Sequence, residues 1–355
     1  MKTFRNVAIF ILGFFAVGII SLCVLYNVNI SAVDKDDNNK IEVVIEKGMT
    51  KKQVGELLEN KGLIKSSTFF SIYLKLFASK DFKATVYYLS RDMDLKEIIK
   101  TLEEGNSFNP EQVTIQFKEG INIRKVAEII SKNTNNTYDD VLSLLKNEEY
   151  LNKLIDRYWF IDKSVKNDKL YYSLEGYLFP DTYYLENKDV KVEDIFKKML
   201  DKMESVLAPL KEDIEKGKFS PHEVLTLASI IEKEGKIRDF DNISSVFHNR
   251  LEKGISLGSC ATAYYGMGMD FNEVGIATSE MINSDNAYNT YKIKALPAGP
   301  ISLPSKDAIK SAVYPSETNY LYFLSDNSLN TYFFETYSEH QNKQRELIKE
   351  GKWYR

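Results

Sequence analysis

The chain has 355 residues, of which 43% are hydrophobic and 28% charged, a composition that predicts two or more folded units. Its formal net charge of −4 provides no basic surface of the kind that binds nucleic acid, so a nucleic-acid role is excluded. The two cysteines and three histidines follow no disulfide or metal-ligand spacing, and no cofactor or metal is expected.

The N-terminal segment is typical of a membrane anchor. Val7–Tyr26 is a run of 20 residues without a charge, and Lys2 and Arg5 precede it. Twenty helical residues, at ~1.5 Å each, span the ~30 Å hydrocarbon core of a bilayer. The basic flank is expected to stay in the cytoplasm, which places the rest of the chain outside the cell membrane as a single-pass protein. The alternative is a cleaved signal peptide, although its apolar core is usually only ~7–15 residues long.

The sequence predicts five consecutive parts of the chain. They are a cytoplasmic tail (1–6), a transmembrane helix (7–26), a charged flexible linker (27–40), a small module (41–108) and a larger domain (109–355).

The small module begins with a strand-like segment, Ile41–Glu46, followed by a helix that Thr50 and Gln53 cap. An aromatic-rich helix is expected over about residues 67–77, and a second strand over residues 84–89. Asp94 and Glu97 predict the start of a third helix, which ends at Gly105.

Residues 48–58 resemble residues 120–130. Each segment begins with glycine, continues into an amphipathic helix and follows a strand-like stretch. Two copies are too few for a solenoid, which needs at least about three. The pattern indicates either a duplicated strand–helix module or two unrelated units that converge on the same local design.

The larger domain has mixed helices and strands. Ser220, Pro221 and Glu223 predict the start of a helix that is apolar on nearly all sides and therefore buried. A hairpin is expected over residues 320–337 and a polar helix from about Glu339. Because strands and helices do not alternate regularly, the predicted fold class is α+β rather than a doubly wound sheet.

The segment Leu174–Tyr184 (LEGYLFPDTYY) places one carboxylate, Glu175, among aromatic residues. Apolar surroundings raise the pKa of a carboxyl group, and a protonated glutamate can donate a proton to a glycosidic oxygen. On composition alone, a structural loop at the protein surface explains the segment better than a catalytic role does.

The motif at Glu175–Thr182 (EGYLFPDT) resembles the signature of the endolytic murein transglycosylases, the YceG-like proteins. Further blocks follow in the order of that family: LASIIEKE at 227–234, VFHNRL at 246–251, YYGMG at 264–268, and YNTY at 288–291 running into LPAGPI at 296–301. The resemblance extends from the apolar run to about Lys349.

This resemblance implies a membrane-anchored enzyme with a LysM-like module and a catalytic domain that cuts peptidoglycan glycan strands internally. Glu175 falls on the family's catalytic glutamate. It would protonate the oxygen between N-acetylmuramate and N-acetylglucosamine, and then take the proton of the muramate 6-hydroxyl as a 1,6-anhydro ring closes. Peptidoglycan synthases and the division machinery are implied as partners.

Other polar residues within or beside the matching blocks are candidates for substrate binding. They are Tyr177, Asp181, Thr182, Glu232, Glu234, Asn249, Arg250, Asn289 and Thr290. Glu232 and Glu234 end a helix, where negative charge opposes the helix dipole, which favours either a functional task or an exposed end with a Glu232–Lys236 pair. The others could equally tie loops together.

The chain departs from the family pattern at Cys260, where the family commonly has aspartate. The family's aspartate either binds substrate or braces the turn, and we expect the second role at this position. Two alternatives to a lytic transglycosylase remain: a hydrolytic muramidase that pairs Glu175 with Asp181, Glu232 or Glu234, and a catalytically weak wall-binding scaffold.

Overall fold

The computed structural model of the chain describes residues 17–18, 20–77, 80–105, 111–270 and 277–353. The predicted anchor therefore lies largely outside the described residues. Within them, residues 20–30 are helical, and no described helix is long and apolar enough to cross a membrane. Contacts divide the chain into two compact units, one up to Glu111 and one from Gln112 onward.

The smaller unit has the element order strand, helix, helix, strand, helix. Its elements are β1 (Ile41–Val44), α1 (Lys51–Asn60), α2 (Ser67–Phe77), β2 (Val86–Leu89) and α3 (Leu95–Glu104). The two strands pair antiparallel, with Ile41 opposite Leu89, and their inward side chains join those of the three helices in one core. Residues of the predicted linker contact this unit, since Arg91 binds the carboxylate of Asp37 at 3.2 Å.

The predicted helix ends of the small unit are confirmed. Thr50 and Gln53 form a capping box at the start of α1, and Asp94 and Glu97 form one at the start of α3. Gly105 has a left-handed φ of 73° at the end of α3, a conformation that glycine adopts without strain.

The larger unit has more helices than strands, and helices cover about half of its described residues. Its helices are α4 (Ile123–Asn133), α5 (Tyr138–Leu144), α6 (Glu148–Arg157), α7 (Val192–Leu207), α8 (Lys211–Lys216), α9 (Pro221–Glu234), α10 (Phe240–Glu252), α11 (Cys260–Gly266), α12 (Ser279–Asn283), α13 (Lys306–Val313) and α14 (Tyr337–Lys349). Short 3-10 helices cover Lys163–Lys166, Ala208–Leu210 and Ile237–Asp239. Its strands are β3 (Val113–Gln116), β4 (Thr182–Leu185), β5 (Tyr322–Ser325) and β6 (Thr331–Phe334).

The described strands form three separate two-stranded antiparallel sheets, so the predicted α+β class is confirmed. Helix α9 lies at the centre of the larger unit, and its residues from Val224 to Ile231 are buried. The capping box of Ser220 and Glu223 starts this helix as predicted. The final helix begins at Tyr337, two residues earlier than expected, because Thr336 caps it through the backbone N–H of Glu339.

The pairing of β3 with β4 positions the segment that contains Glu175. Gln116 lies opposite Thr182 in this antiparallel pair. The chain that leaves β3 and the chain that enters β4 therefore lie at the same end of the sheet. The first leads to the start of α4, and the second carries Glu175.

Candidate active site

Glu175 is buried in the larger unit, with only 1% of its surface exposed. Both of its carboxyl oxygens lie 3.1 Å from the backbone N–H of Ile123, the first residue of α4. The hydroxyl of Tyr265 donates to Oε2 at 2.9 Å. The carboxyl group thus lies at the N-terminus of a helix, where a free N–H and the helix dipole favour negative charge.

Burial disfavours the charged form of Glu175, and this effect is stronger than that of the helix N-terminus. Desolvation raises the pKa of Glu175 to about 8, although the bonds from Ile123 and Tyr265 and the charge of Arg124 act in the opposite direction. At neutral pH the carboxyl group is therefore mostly protonated. A protonated carboxyl near neutrality is what a general acid requires.

Gly176 allows this placement. Its φ is 77°, and a Cβ at this position would lie 2.3 Å from Cβ of Pro300. Only glycine combines the left-handed conformation with so close an approach. The turn after Glu175 therefore packs directly on the segment 296–301, which the sequence identified as a separate block.

A cleft of about 240 Å³ opens beside the start of α4. Its walls come from five parts of the larger unit: Gly120, Ile121, Asn122 and Lys125 at the start of α4, Lys233 of α9, Ala261 and Tyr265 of α11, Met269 and Asp270 after α11, and Ile301. Tyr265 thus both lines the cleft and bonds Glu175.

Charged groups at the rim of the cleft are paired. Asp270 accepts from Arg124 at 2.6 Å, and the side-chain amide of Asn122 also donates to it. The ammonium of Lys233 donates to the carbonyl of Gly120 at 3.1 Å, and burial lowers its pKa. Among the described residues, no group of three or more His, Cys, Asp or Glu side chains could hold a metal ion.

Two of the three other predicted acidic residues, Glu232 and Glu234, join elements of the larger unit. Glu232 accepts from the backbone N–H of Ser305 at 2.9 Å, which ties α9 to the N-cap of α13. Glu234 accepts from the hydroxyl of Ser259, the N-cap of α11. Burial raises the pKa of both carboxyl groups.

Several predicted substrate donors bind backbone carbonyls. The amide of Asn249 donates to Thr318 and Tyr320, and the guanidinium of Arg250 donates to Leu257 and Leu321. Asn289 is fully buried and donates to the carbonyls of residues 281, 282 and 284. These contacts match the loop-tying alternative.

Thr290 supports the helix that carries Tyr265. Its hydroxyl accepts from the backbone N–H of Ser259 and bonds the hydroxyl of Thr262 at 2.7 Å. Together with Glu234 it fixes the first turn of α11.

The remaining candidates lie within the motif that contains Glu175. Tyr177 is buried and bonds Nδ1 of His222, whose Nε2 donates to the carbonyl of Ala298. Asp181 forms an ion pair of 2.8 Å with Lys202, and Thr182 begins β4.

Cys260 does not cap the turn at the start of α11, because Ser259 occupies the N-cap. The sulfur of Cys260 lies 3.0 Å from the hydroxyl of Tyr291, and burial raises the pKa of the thiol. The nearby charge of Glu234 raises it further. The expected bracing of the turn therefore belongs to Ser259.

Sequence reasoning did not identify Ile123, Asn122, Arg124, Tyr265 or Asp270 as parts of the site. Two features of the sequence could have identified some of them. Tyr265 lies in the YYGMG block, and Asn122 lies in the repeated segment after Gly120.

The fold and the site define a mixed α+β protein in which the buried carboxyl group of Glu175, with its raised pKa, lies beside an open cleft. The YceG-like family model matches residues 43–346. Because this match covers most of the 355 residues, the chain belongs to the YceG-like family.

Curated relatives and a solved structure agree with that membership. The chain is 33% identical to the endolytic murein transglycosylase of Bacillus subtilis over 318 residues, which cover 89% of this chain and 87% of that protein. It is 31% identical to the endolytic murein transglycosylase of Streptococcus pneumoniae, over 83% of this chain and 56% of that protein. The crystal structure of a YceG-like protein from Listeria monocytogenes superposes with a TM-score of 0.61 at 32% identity, over 86% of this chain and 99% of that one.

Proposed function

We propose that this protein is an endolytic peptidoglycan transglycosylase. It cleaves the bond between N-acetylmuramate and N-acetylglucosamine inside glycan strands and leaves 1,6-anhydro-muramate ends. The observation that carries the proposal is the environment of Glu175, a carboxyl group with a pKa of about 8 beside a cleft of a YceG-like domain.

The reaction needs one carboxyl group in two successive roles. Protonated Glu175 donates its proton to the bridging oxygen as the bond from that oxygen to the muramate C1 breaks. The resulting carboxylate then takes the proton of the muramate 6-hydroxyl, whose oxygen forms the new bond to C1. The proton count of Glu175 is restored, and no water is consumed.

The surroundings of the other carboxylates favour this reaction over hydrolysis. A hydrolase of the usual type needs a second carboxylate at a defined separation to activate water or to attack C1. Asp181 is paired with Lys202, and Glu232 and Glu234 bind Ser305 and Ser259. Asp270 lines the cleft, but it is engaged by Arg124 and Asn122.

The test is the chemical identity of the product ends. Purified sacculi are incubated with the full chain, and the released fragments are analysed by mass spectrometry. We expect anhydro-muramate ends, and we expect Glu175→Gln to lower their rate of formation by about 10²-fold or more, because the amide cannot exchange the proton. Glu212→Gln removes an exposed carboxylate of α8 and serves as the matched control.

The other possible products distinguish the alternatives. Reducing muramate ends would indicate a hydrolytic muramidase, and the absence of product from the unmodified protein would indicate a scaffold. An active Glu175→Gln variant would remove Glu175 from the chemistry.

We also propose that Val7–Tyr26 anchors the chain in the cell membrane, with both units outside the cytoplasm. The exposed apolar side chains of Val17, Ile20 and Leu22 support an environment other than water for this segment. A C-terminal reporter that is active only outside the cytoplasm tests this topology, and a cytoplasmic signal would contradict it.

The smaller unit stands where the family resemblance implies a LysM-like module, and we propose a wall-binding role for it. Association with peptidoglycan synthases and the division machinery is proposed on that resemblance alone. In-cell crosslinking from the exposed surface of this unit, followed by identification of the captured proteins, tests the association.

A further inference from the structure

Two donors reach the carboxyl group of Glu175 from the described residues, and they differ in kind. The N–H of Ile123 lies 3.1 Å from both oxygens and therefore does not distinguish between them. The hydroxyl of Tyr265 lies 2.9 Å from Oε2. Tyr265 is thus the contact that makes the two oxygens inequivalent.

Neighbouring rings fix the position of the Tyr265 hydroxyl. Its ring stacks on Tyr171 at 5.6 Å between centroids and packs against Tyr288 at 4.8 Å. Tyr171 is itself anchored, because its hydroxyl donates to the carbonyl of Gly266 at 2.7 Å. The guanidinium of Arg124 lies 5.9 Å from the centre of the Tyr265 ring. The hydroxyl cannot turn away from Glu175 without repacking this cluster.

Tyr265 also remains a donor throughout the pH range in which Glu175 titrates. Burial, and then the neighbouring charge of Glu175, raise the pKa of the phenol well above its usual value. The hydroxyl therefore keeps its proton when the carboxyl group loses one.

We propose that Tyr265 is a positioning residue that holds Oε2 of Glu175 as an acceptor and thereby assigns the transferable proton to Oε1. The inference rests on the proposed function and deepens it. In the protonated carboxyl group, the carbonyl oxygen is the better acceptor, so Tyr265 favours Oε2 as the carbonyl and Oε1 as the hydroxyl. The same Oε1 is then the base that takes the proton of the 6-hydroxyl.

This contact strengthens during the reaction. A hydrogen bond to an ionised acceptor is roughly twice as strong as one to a neutral acceptor. When Glu175 gives up its proton, the bond from Tyr265 becomes charge-assisted. An interaction that is stronger after proton transfer than before it lowers the barrier of the acid step.

The experiment compares Tyr265→Phe with the unmodified full chain. Phenylalanine keeps the ring in the cluster and removes the hydroxyl. The titration of Glu175 is followed without substrate by NMR of protein labelled with ¹³C at the glutamate carboxyl, and Glu175→Gln identifies the resonance. Because a donor to the carboxylate is lost, we expect the pKa of Glu175 to rise by about one pH unit.

The kinetics give a second measurement. The protonated form is the active acid in the free enzyme, so its pKa sets the alkaline limb of kcat/KM. In Tyr265→Phe this limb is expected to move to higher pH together with the NMR titration. We expect kcat to fall by about 10-fold or more, with KM changed by less than about three-fold.

Tyr183→Phe is the matched control. Tyr183 is also a buried tyrosine of the larger unit, and its hydroxyl donates to the carbonyl of Phe179 rather than to a carboxyl group. This variant is expected to lose stability without moving the titration of Glu175. A difference between the two variants separates positioning from the general cost of losing a buried hydroxyl.

An unchanged titration and an unchanged alkaline limb in folded Tyr265→Phe would overturn the proposal, even if the rate fell. Should that variant fail to fold, 3,5-difluorotyrosine at position 265 provides the opposite perturbation. Its more acidic phenol is a stronger donor and should lower the pKa of Glu175, and no shift would again overturn the proposal. Because the titration needs no substrate, its outcome is independent of whether the products carry anhydro ends.

Discussion

The two strand–turn–helix segments, residues 41–60 and 113–133, share a local design but differ in what reaches the start of the helix. In both, a glycine with positive φ follows the strand, Gly48 at 95° and Gly120 at 71°. In both, a polar residue caps the helix two positions later, Thr50 in one and Asn122 in the other.

The difference lies three residues after the cap. In the first segment, Gln53 folds back on the backbone N–H of Thr50 and closes a capping box. In the second, the corresponding residue is Lys125, which pairs with Glu128 at 2.8 Å instead. At the start of α4, Glu175 accepts from the backbone N–H of Ile123, the residue that follows the cap Asn122.

This contrast shows how a common structural unit can become a candidate active site. The helix start supplies an N–H and a favourable dipole, and burial supplies the opposing force that keeps the acid protonated.

The largest expected effect is on how the free energy of unfolding depends on pH. We expect this dependence to come from Glu175, the carboxyl group bound at the start of the second segment. Folding raises the pKa of Glu175 from 4.5 to about 8, so the folded state holds a proton that the unfolded state releases. The stabilisation of the folded state by this bound proton is complete below pH 4.5 and is lost as the pH rises toward 8. Between pH 5 and 8, the free energy of unfolding should fall by about 3 kcal/mol more in the unmodified protein than in Glu175→Gln.

Calorimetry of both proteins across this range measures the difference. Other buried acids, such as Glu232 and Glu234, are present in both proteins and cancel. Parallel stability curves would show that Glu175 is not the buried, protonated acid described above.

The next effect concerns α11, the helix that brings Tyr265 to the second segment. Ser259 already caps this helix, so a carboxylate at position 260 is not needed as a cap. It would also lie beside a second buried acid, Glu234, and we expect the cost of that burial to exceed the favourable helix dipole at this position. We expect Cys260→Asp to lower the free energy of unfolding by about 1–3 kcal/mol, the cost of burying a poorly compensated polar group.

Cys260→Ser, which adds a polar atom without a charge, is the control for the substitution itself. Chemical denaturation of both variants gives the comparison. A Cys260→Asp protein that is more stable than the parent would contradict this prediction and would support the bracing role that the sequence pattern predicts.

The smallest effect separates the two caps. Thr50→Ala and Asn122→Ala should each cost about 1 kcal/mol of stability, since each removes one N-cap. Their consequences for catalysis should differ, because Asn122 also binds Asp270 at the rim of the cleft and precedes the N–H that holds Glu175. We expect kcat to fall several-fold in Asn122→Ala and to stay unchanged in Thr50→Ala.

Rates of anhydro-product formation and melting temperatures on the same preparations decide this point. Equal losses of kcat in the two variants would mean that the start of α4 has no special part in the reaction.

Local signals were sufficient for much of the fold. The capping boxes at Thr50, Asp94 and Ser220 join residues only three apart, and the helix that follows each one was predicted close to its observed start. Such contacts form within one turn of helix, so neighbouring residue types determine them. The hairpin of β5 and β6 is likewise local, with Ser325 opposite Thr331.

The interpretation of polar residues in the matching blocks shows where local signals end. Asn249, Arg250 and Asn289 have the donors that a sugar-binding residue needs, and a loop that must be tied down needs the same donors. Which of the two applies depends on the carbonyl groups within reach. In the structure, those are the carbonyls of neighbouring loops.

The sequence by itself determined several helix starts, the α+β class and, through its resemblance to a known family, Glu175 as the residue of interest. Only the tertiary structure decided what surrounds that carboxyl group. Its partners Ile123 and Tyr265 lie 52 and 90 positions away, and Asn122 meets Asp270 across 148. Contacts over such separations depend on how the whole unit packs, and the burial that raises the pKa of Glu175 is a property of that packing.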